Sequence, residues 1–402
     1  MEPSSNSIEN TNYNDSKLIE GRGYSSFLFT LAKSTFIGMA IGFMFEKSGV
    51  DTYIAAIIGT IIGLIPLLIF LFITKNSKGK DIIDLNVYLF GKPIGTILNT
   101  VLNLTVFFMC IIVFYNITQF INTEYMPDTN INYCRFIIIL VVTYTATKNI
   151  ATISRVSQIL LIINIIFFIL SFFGLMNAFD TSEILPILSD GIKPTLCSSI
   201  MYAIFTTFPI FLLTIIKSSE VKEEKGKTKS VILMYLFVNI IIITLIVITT
   251  LVLGGDVVKL YKYPEYTALK AFSLLNILER IENILALQFI FNVFVFLTLS
   301  LYFVTTSIKK LFKDNKKVNK IVPYILGVII MIVVNIFFNN SFVADNFIKK
   351  YVLYIIGIGI IGIMFITFLG VLLKKISNKT KSKKNNQNYN GNNFKYKINK
   401  IG

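Results

Sequence analysis

Three stretches of this sequence place polar or helix-breaking residues inside apolar runs, and their chemistry is that of binding rather than catalysis. The first is Lys33-Ser34-Thr35, followed by Gly38, Ala40 and Gly42. Gly38 and Gly42 are spaced i, i+4, which has two readings. One is a broken helix whose freed backbone groups hold a substrate near the bilayer midplane. The other is a small-residue face for close helix packing. Lys33 is an ionisable group within an apolar run and therefore a functional candidate, although a lysine about two turns from the end of a span can also snorkel to the surface. Ser34 and Thr35 add hydroxyls suited to a small polar ligand. The second stretch holds Tyr202, Thr206, Thr207, Phe208 and Pro209. Pro209 removes a helix hydrogen bond and clashes one turn back, giving either a functional break or a packing kink. The third holds Gln288 and Asn292, spaced i, i+4 and continued by Phe296. Amides in apolar helices face the protein interior, where they line a cavity or bind helices together.

Composition narrows the chemistry further. There is no His in 402 residues, so no His general base or His metal ligand. Cys110, Cys134 and Cys197 are far apart and form no CxxC, so neither a zinc nor a redox motif is expected. No cofactor is implied. Hydrophobic residues make up 54% and charged residues 15%, against about 25% charged in an ordinary soluble domain. The chain reads as a polytopic membrane protein. Its apolar runs are continuous rather than alternating, which excludes a β-barrel.

Ten spans are expected, at about 27–45, 53–74, 96–122, 131–147, 156–179, 198–216, 231–254, 282–307, 321–338 and 351–373. The fourth is short and flanked by polar residues. With both ends inside, 28 of the 38 Lys and Arg fall on the inner side and 8 on the outer side. That bias sets the orientation and supports an even number of spans. The net charge of +16 is therefore the mark of a cytoplasmic membrane face and not of a nucleic-acid binder. Residues 1–24 read as a polar cytoplasmic tail without a cleavable signal. Residues 25–375 read as the transmembrane domain, and 376–402, rich in Lys and Asn, as a disordered cytoplasmic tail.

Breaks in spans 1 and 6, five helices apart, fit a five-plus-five inverted repeat. The expected fold is thus all-α, with about ten transmembrane helices and broken helices 1 and 6. In such an architecture the positive ends of half-helices hold a carboxylate. Two turn-rich loops, Leu185–Pro194 and Tyr261–Tyr266, are placed to cover an external access path or simply to connect spans. Glu279, Arg280 and Glu282, at the expected start of span 8, can pair at the outer interface as a structural ion-pair cluster that fixes the helix start.

The chain also resembles a known family, the spore germination permeases. These are the B subunits of Ger-type germinant receptors, within the amino acid–polyamine–organocation transporter superfamily. Gly91-Lys92-Pro93-Ile94-Gly95 is similar to the family's G-K-x-x-G, and Ile153-Ser154-Arg155 to its stretch ending in S-R. Leu185-Pro186-Ile187-Leu188 with Gly191-Ile192-Lys193-Pro194 resembles its x-P-x-L-x-x-G-x-x-P loop. Tyr263-Pro264, then Leu278-Glu279-Arg280-Ile281-Glu282, resembles its P-T/x…L-E-R-x-E segment, running into Lys309-Lys310-Leu311-Phe312. The likeness covers roughly residues 25–375.

The resemblance implies a small-molecule germinant pocket, an A-type membrane subunit and a C-type lipoprotein as partners, and the inner membrane of an endospore. It implies amino acids or similar small nutrients as germinants. The sequence departs from the family where Phe43-Met44-Phe45-Glu46 follows the span 1 glycines without Pro, and where Phe208-Pro209-Ile210-Phe211 in span 6 carries no acid. Lys33 is a further departure. The expected function is nutrient sensing in a transporter-like pocket. A secondary transporter or facilitator of amino acids or organic cations is the alternative, and an enzyme fits least. The ligand is expected between spans 1, 6 and 8, held by backbone groups near Gly38, Ala40 and Gly42 and by the hydroxyls of Thr206 and Thr207.

Overall fold

The computed structural model describes residues 18–175, 179–188, 191–222, 227–255, 257–273, 282–311 and 316–377. Both outer tails lie largely outside these residues, as do Ser189, Asp190, Glu279, Arg280 and Phe312. Hydrocarbon offers a backbone no hydrogen-bond partner, so apolar runs of this length become helices. Span 1 comprises Gly21–Ser34 and Ile41–Ser48, separated by a break. Spans 2 to 5 are Thr52–Asn76, Lys92–Glu124, Ile131–Ala146 and Ile150–Leu175. Span 6 is Ile192–Thr207, which tightens into a 3₁₀ segment over Phe208–Ile215. Spans 7, 8 and 9 are Lys227–Leu253, Glu282–Leu311 and Lys316–Phe337. Span 10 starts with Ser341–Ile356 and passes through a π segment, Gly357–Gly362. The described residues thus give a polytopic all-α membrane protein, in which eight helical stretches are long and apolar enough to cross a membrane; Gly21–Asn76, counted as one, holds spans 1 and 2, and Ile131–Ala146, the expected fourth span, is shorter than the rest.

The packing repeats after five helices. Span 2 lies on span 6, and span 7 lies on span 1. Span 3 lies on span 8, and span 4 on span 9. Adding five to each number maps this pattern onto itself, as two inverted halves require. Span 4 has only 16 residues and is anchored by its one charge. Arg135 is buried and donates from a guanidinium nitrogen to Asn335 Oδ1 of span 9 at 2.7 Å. At the contact between spans 2 and 6, Gly59 lets the backbones meet. A Cβ there would lie 2.6 Å from Ser199 O and 2.8 Å from Tyr202 Cβ.

The lysine-rich end of the bundle is tied by short contacts. Asp81 is fully buried, caps the Ile82–Phe90 helix by accepting from Asp84 N, and pairs with Lys310. Ile19, just ahead of span 1, pairs with Val221 beyond span 6 as a short parallel bridge. At the lysine-poor end, a short helix, Pro264–Ser273, lies between spans 7 and 8.

Gly59→Val is expected to lower the stability of the detergent-purified protein by about 1–3 kcal/mol through overpacking. Ile61→Val, on the exposed face of the same helix, should leave it nearly unchanged. Thermal unfolding of the two variants checks this.

Candidate functional site

The break in span 1 is made by the backbone at two residues. Ile37 has φ −69° and ψ 133°, and Gly38 has φ 78° and ψ −2°. The left-handed φ favours glycine, and a Cβ at Gly38 would lie 2.3 Å from the Phe289 ring. Leaving the helical ladder frees backbone groups that lipid cannot satisfy. Two side chains from elsewhere help to satisfy such groups. Gly38 N donates to Glu265 Oε1 at 2.6 Å. Thr35 Oγ1 donates across to Phe205 O at 3.0 Å. Phe205 is four residues before Pro209, so its carbonyl is the one that proline leaves without its helical donor. The two breaks are therefore joined: a hydroxyl from one meets the backbone acceptor exposed by the other.

Lys33 does not snorkel. It is 1% exposed, and its Nζ donates to Gln288 Oε1 of span 8 at 2.9 Å, 5.5 Å from the centre of the Phe29 ring. One turn further along span 8, Asn292 Nδ2 donates to Asn164 Oδ1 of span 5 at 3.1 Å. This amide binds helices together. Each amide also keeps an unused atom: Gln288 Nε2 and Asn292 Oδ1 are buried without a partner among the described residues, as is Glu265 Oε2. Phe289 follows Gln288 on span 8. Its ring lies against Gly38 and packs edge-on against Phe120 of span 3.

The other sequence-predicted residues divide by what they touch. Thr35 and Gly38 meet at the break, and Ala40 is fully buried beside it. Gly42 permits close approach of the lysine-poor cover, since a Cβ there would lie 2.6 Å from Lys262 O. Both readings of the glycine pair thus have a structural counterpart, at different residues. Ser34, Thr206 and Thr207 donate to carbonyls of their own helices, Leu31 O, Tyr202 O and Ala203 O. Only the hydroxyl acceptor side is left to them for a ligand. Tyr202 points its hydroxyl to Asn239 Oδ1 of span 7 at 2.7 Å and packs edge-on against Phe36. Phe296 packs edge-on against Phe208 at the span 6 break, whose 3₁₀ segment includes Pro209.

Glu265 is the residue that sequence reasoning missed. It stands directly after Pro264 at the start of a short helix, where an acid ordinarily serves the helix dipole. Nothing in its spacing indicates that it reaches a residue 227 positions earlier. It is 2% exposed, and burial raises its carboxyl to about 7. A second feature absent from the sequence reading is a cavity of about 800 Å³ at the lysine-rich end. Lys75, Lys78, Lys80, Lys217 and Tyr24 are among its lining residues.

Broken helices facing one another within an inverted repeat define this chain as a multi-pass membrane protein of transporter architecture. Two solved structures share that fold. A substrate-bound, outward-open Na+-coupled sialic acid symporter aligns with a TM-score of 0.58 at 13% identity, covering 86% of this chain and 79% of its own. A nucleobase–cation–symport-1 family transporter, closed with bromovinylhydantoin bound, aligns with a TM-score of 0.60 at 14% identity, covering 86% and 78%. No curated protein matches the chain by sequence. A family profile described as spore germination protein matches residues 25–343, and the chain belongs to that family of spore germination permeases.

Two predictions follow the geometry. Lys33→Met leaves the Gln288 amide unpaired, and Gln288→Met leaves the lysine amino group unpaired. Each should cost about 1–3 kcal/mol, with the double variant less destabilised than the two losses added, measured as a double-mutant cycle of unfolding in detergent. For Glu265, a folded-state pKa above the unfolded value means that stability is fullest below pH ~4.5 and is lost as pH rises through about 7. Glu265→Gln should flatten the unfolding-midpoint-versus-pH curve across that window.

Proposed function

We propose that this protein is the integral membrane subunit of a germinant receptor, which senses a small nutrient in its transporter-like pocket and triggers germination. The observation that carries this reading is the set of unused buried polar atoms at the break of span 1, in a member of the spore germination family. A buried polar atom without a partner costs roughly 1–3 kcal/mol, and a ligand that supplies the partner recovers that cost on binding. The unused donor is Gln288 Nε2; with the amino group of Lys33 beside it, and the amide of Gly38 once Glu265 leaves it, it suits a carboxylate. The unused acceptor of Asn292, with the hydroxyl oxygens of Thr206 and Thr207, suits an ammonium or hydroxyl group. This pattern fits an amino acid or a similar zwitterion.

In this reading the lysine-rich end faces the cytoplasm, as the distribution of basic residues favours. The membrane is the inner membrane of the endospore, and an A-type membrane subunit and a C-type lipoprotein are the partners. Residues 1–24 and 376–402 act as cytoplasmic tails around the transmembrane domain, 25–375. Ligand binding signals only as far as two conformations bind the ligand differently. A second reading, a secondary transporter or facilitator, is favoured by one observation. A cavity of about 800 Å³, lined in part by Lys75, Lys78, Lys80 and Lys217, lies at the lysine-rich end among residues of spans 1, 2 and 6.

Spores lacking the gene should lose dipicolinate release in response to one nutrient of a panel of single amino acids, while vegetative uptake of labelled amino acids is unchanged. Normal germination with lost uptake would establish the transporter reading instead. Gln288→Leu spores with normal protein levels should need about tenfold more of that nutrient, equivalent to the loss of one hydrogen bond.

A further inference from the structure

The segment from Lys262 to Tyr266 covers the broken helix from the lysine-poor end, and at least five contacts hold it there. Lys262 O lies over Gly42, where a Cβ would meet it at 2.6 Å. The Lys262 amino group pairs with Asp345 of span 10 at 2.7 Å. The rings of Tyr263 and Tyr266 pack edge-on against Phe120 of span 3, at 4.9 and 5.3 Å between centroids. The fifth contact is the carboxylate of Glu265 on Gly38 N at 2.6 Å. Four of these contacts are ordinary packing or surface ion pairing. The Glu265 contact is different, because it places a buried acid against a backbone donor at the head of the outer half-helix Ile41–Ser48. Its second oxygen, Oε2, has no partner among the described residues.

We propose that Glu265 is an internal competitor for the ligand carboxylate: it occupies the Gly38 amide that the ligand's acid group requires, and the ligand displaces it. The proposal rests on the reading of the span 1 break as the ligand site. It assigns Glu265 the role of a specificity-determining residue. A nutrient without an acid group cannot replace the side-chain carboxylate at that amide, whereas one with an acid group exchanges like for like. Displacement also removes a polar tie between the cover and the break, which links ligand arrival to movement of the 264–273 helix.

Three features make the exchange feasible. Glu265 leaves one oxygen unsatisfied where it now sits, so its bound state is not its best-solvated state. Its carboxyl is raised to about 7 by burial, so an ionised Glu265 is held there only marginally at neutral pH. Phe289, which fills the space beside Gly38, is a side chain and can yield that space by rotation. A site whose competent form is only partly populated binds with an apparent affinity reduced by that fraction. Glu265 therefore sets the threshold concentration of the nutrient.

The test is chemical rescue in the purified full-length protein. In Glu265→Ala the Gly38 amide is free, so acetate should raise the thermal unfolding midpoint, while chloride at equal ionic strength and acetamide should not. Wild-type protein should be insensitive to all three. Glu265→Gln keeps the size and a weaker acceptor, so acetate has to displace it and should give a smaller effect in the same direction; this variant serves if the alanine variant does not fold. Equal acetate responses in wild type and variants, no response in either variant, or acetamide acting as well as acetate would overturn the proposal.

Spores carrying Glu265→Gln should respond to a carboxylate-bearing nutrient at about tenfold lower concentration, because the internal competitor is weakened. An unchanged or raised half-maximal concentration would overturn the competition. The acetate experiment does not depend on germination. If gene deletion leaves every germination response intact, the sensing reading fails while the rescue result stands by itself.

Discussion

The hydrogen bond from Thr35 to the carbonyl of Phe205 is the contact on which this architecture turns. Hydrocarbon cannot solvate an exposed backbone group, so a helix broken within the membrane must find its partners inside the protein. Pro209 removes the donor that Phe205 O would have used. Span 1, broken by the left-handed Gly38, brings a hydroxyl to that carbonyl. Each break is tolerated because the other is beside it. This also explains why span 1 has to run through the centre of the bundle, against spans 5, 6, 7 and 8. An isolated break facing lipid would have no such remedy.

Once the breaks are fixed, the polar residues around them fall into a functional order. Span 8 supplies Gln288 to Lys33 and Asn292 to Asn164, so one helix face contacts both span 1 and span 5. The loop between spans 7 and 8 supplies Glu265 to the amide of Gly38. The missing acid of span 6 is thus not the only place from which a carboxylate can reach the centre. Every group mentioned is nearly inaccessible to solvent, yet several retain unused hydrogen-bonding capacity. Such capacity is expensive in a low-dielectric interior. In the proposed reading, that expense is what a small polar ligand recovers on binding.

The two ends of the bundle are fastened differently. At the lysine-rich end, the chain just before span 1 bonds to the chain just after span 6, through Ile19 N to Glu220 O and Lys222 N to Ile19 O at 2.7 and 2.9 Å. Spans 1 and 6 are therefore coupled at their ends as well as at their breaks. At the lysine-poor end, the cover and its helix are held by aromatic packing, the Lys262–Asp345 and Lys270–Glu124 ion pairs and the carboxylate of Glu265. A rocking motion of one half against the other would have to break one fastening while keeping the other. The cover is the fastening whose polar contact a ligand can replace.

Much of this fold was legible in the sequence, because its signals are local. The length of apolar runs, the asymmetry of Lys and Arg, Gly38 and Pro209 together announce ten spans with breaks in the first and sixth. Boundaries were less legible, since helices such as Lys92–Glu124 extend past the apolar run into polar residues that hydropathy does not count. Among the candidate residues, Thr35 and Gly38 were recognisable by type and lie at the break, while Lys33, also recognisable by type, reaches Gln288 of span 8. Tyr202, Thr206 and Thr207 were equally plausible by type, but the hydrogen bonds they donate serve helix packing and their own backbones. The sequence by itself determined that the chain must cross the membrane and named Gly38 and Pro209 as places where its helices can break, because hydrophobic burial and backbone satisfaction act over short stretches of chain. Only the tertiary structure decided that Glu265 sits on Gly38 and Gln288 on Lys33. Those partners lie more than 200 residues apart, and no local physical rule relates them until the helices have packed.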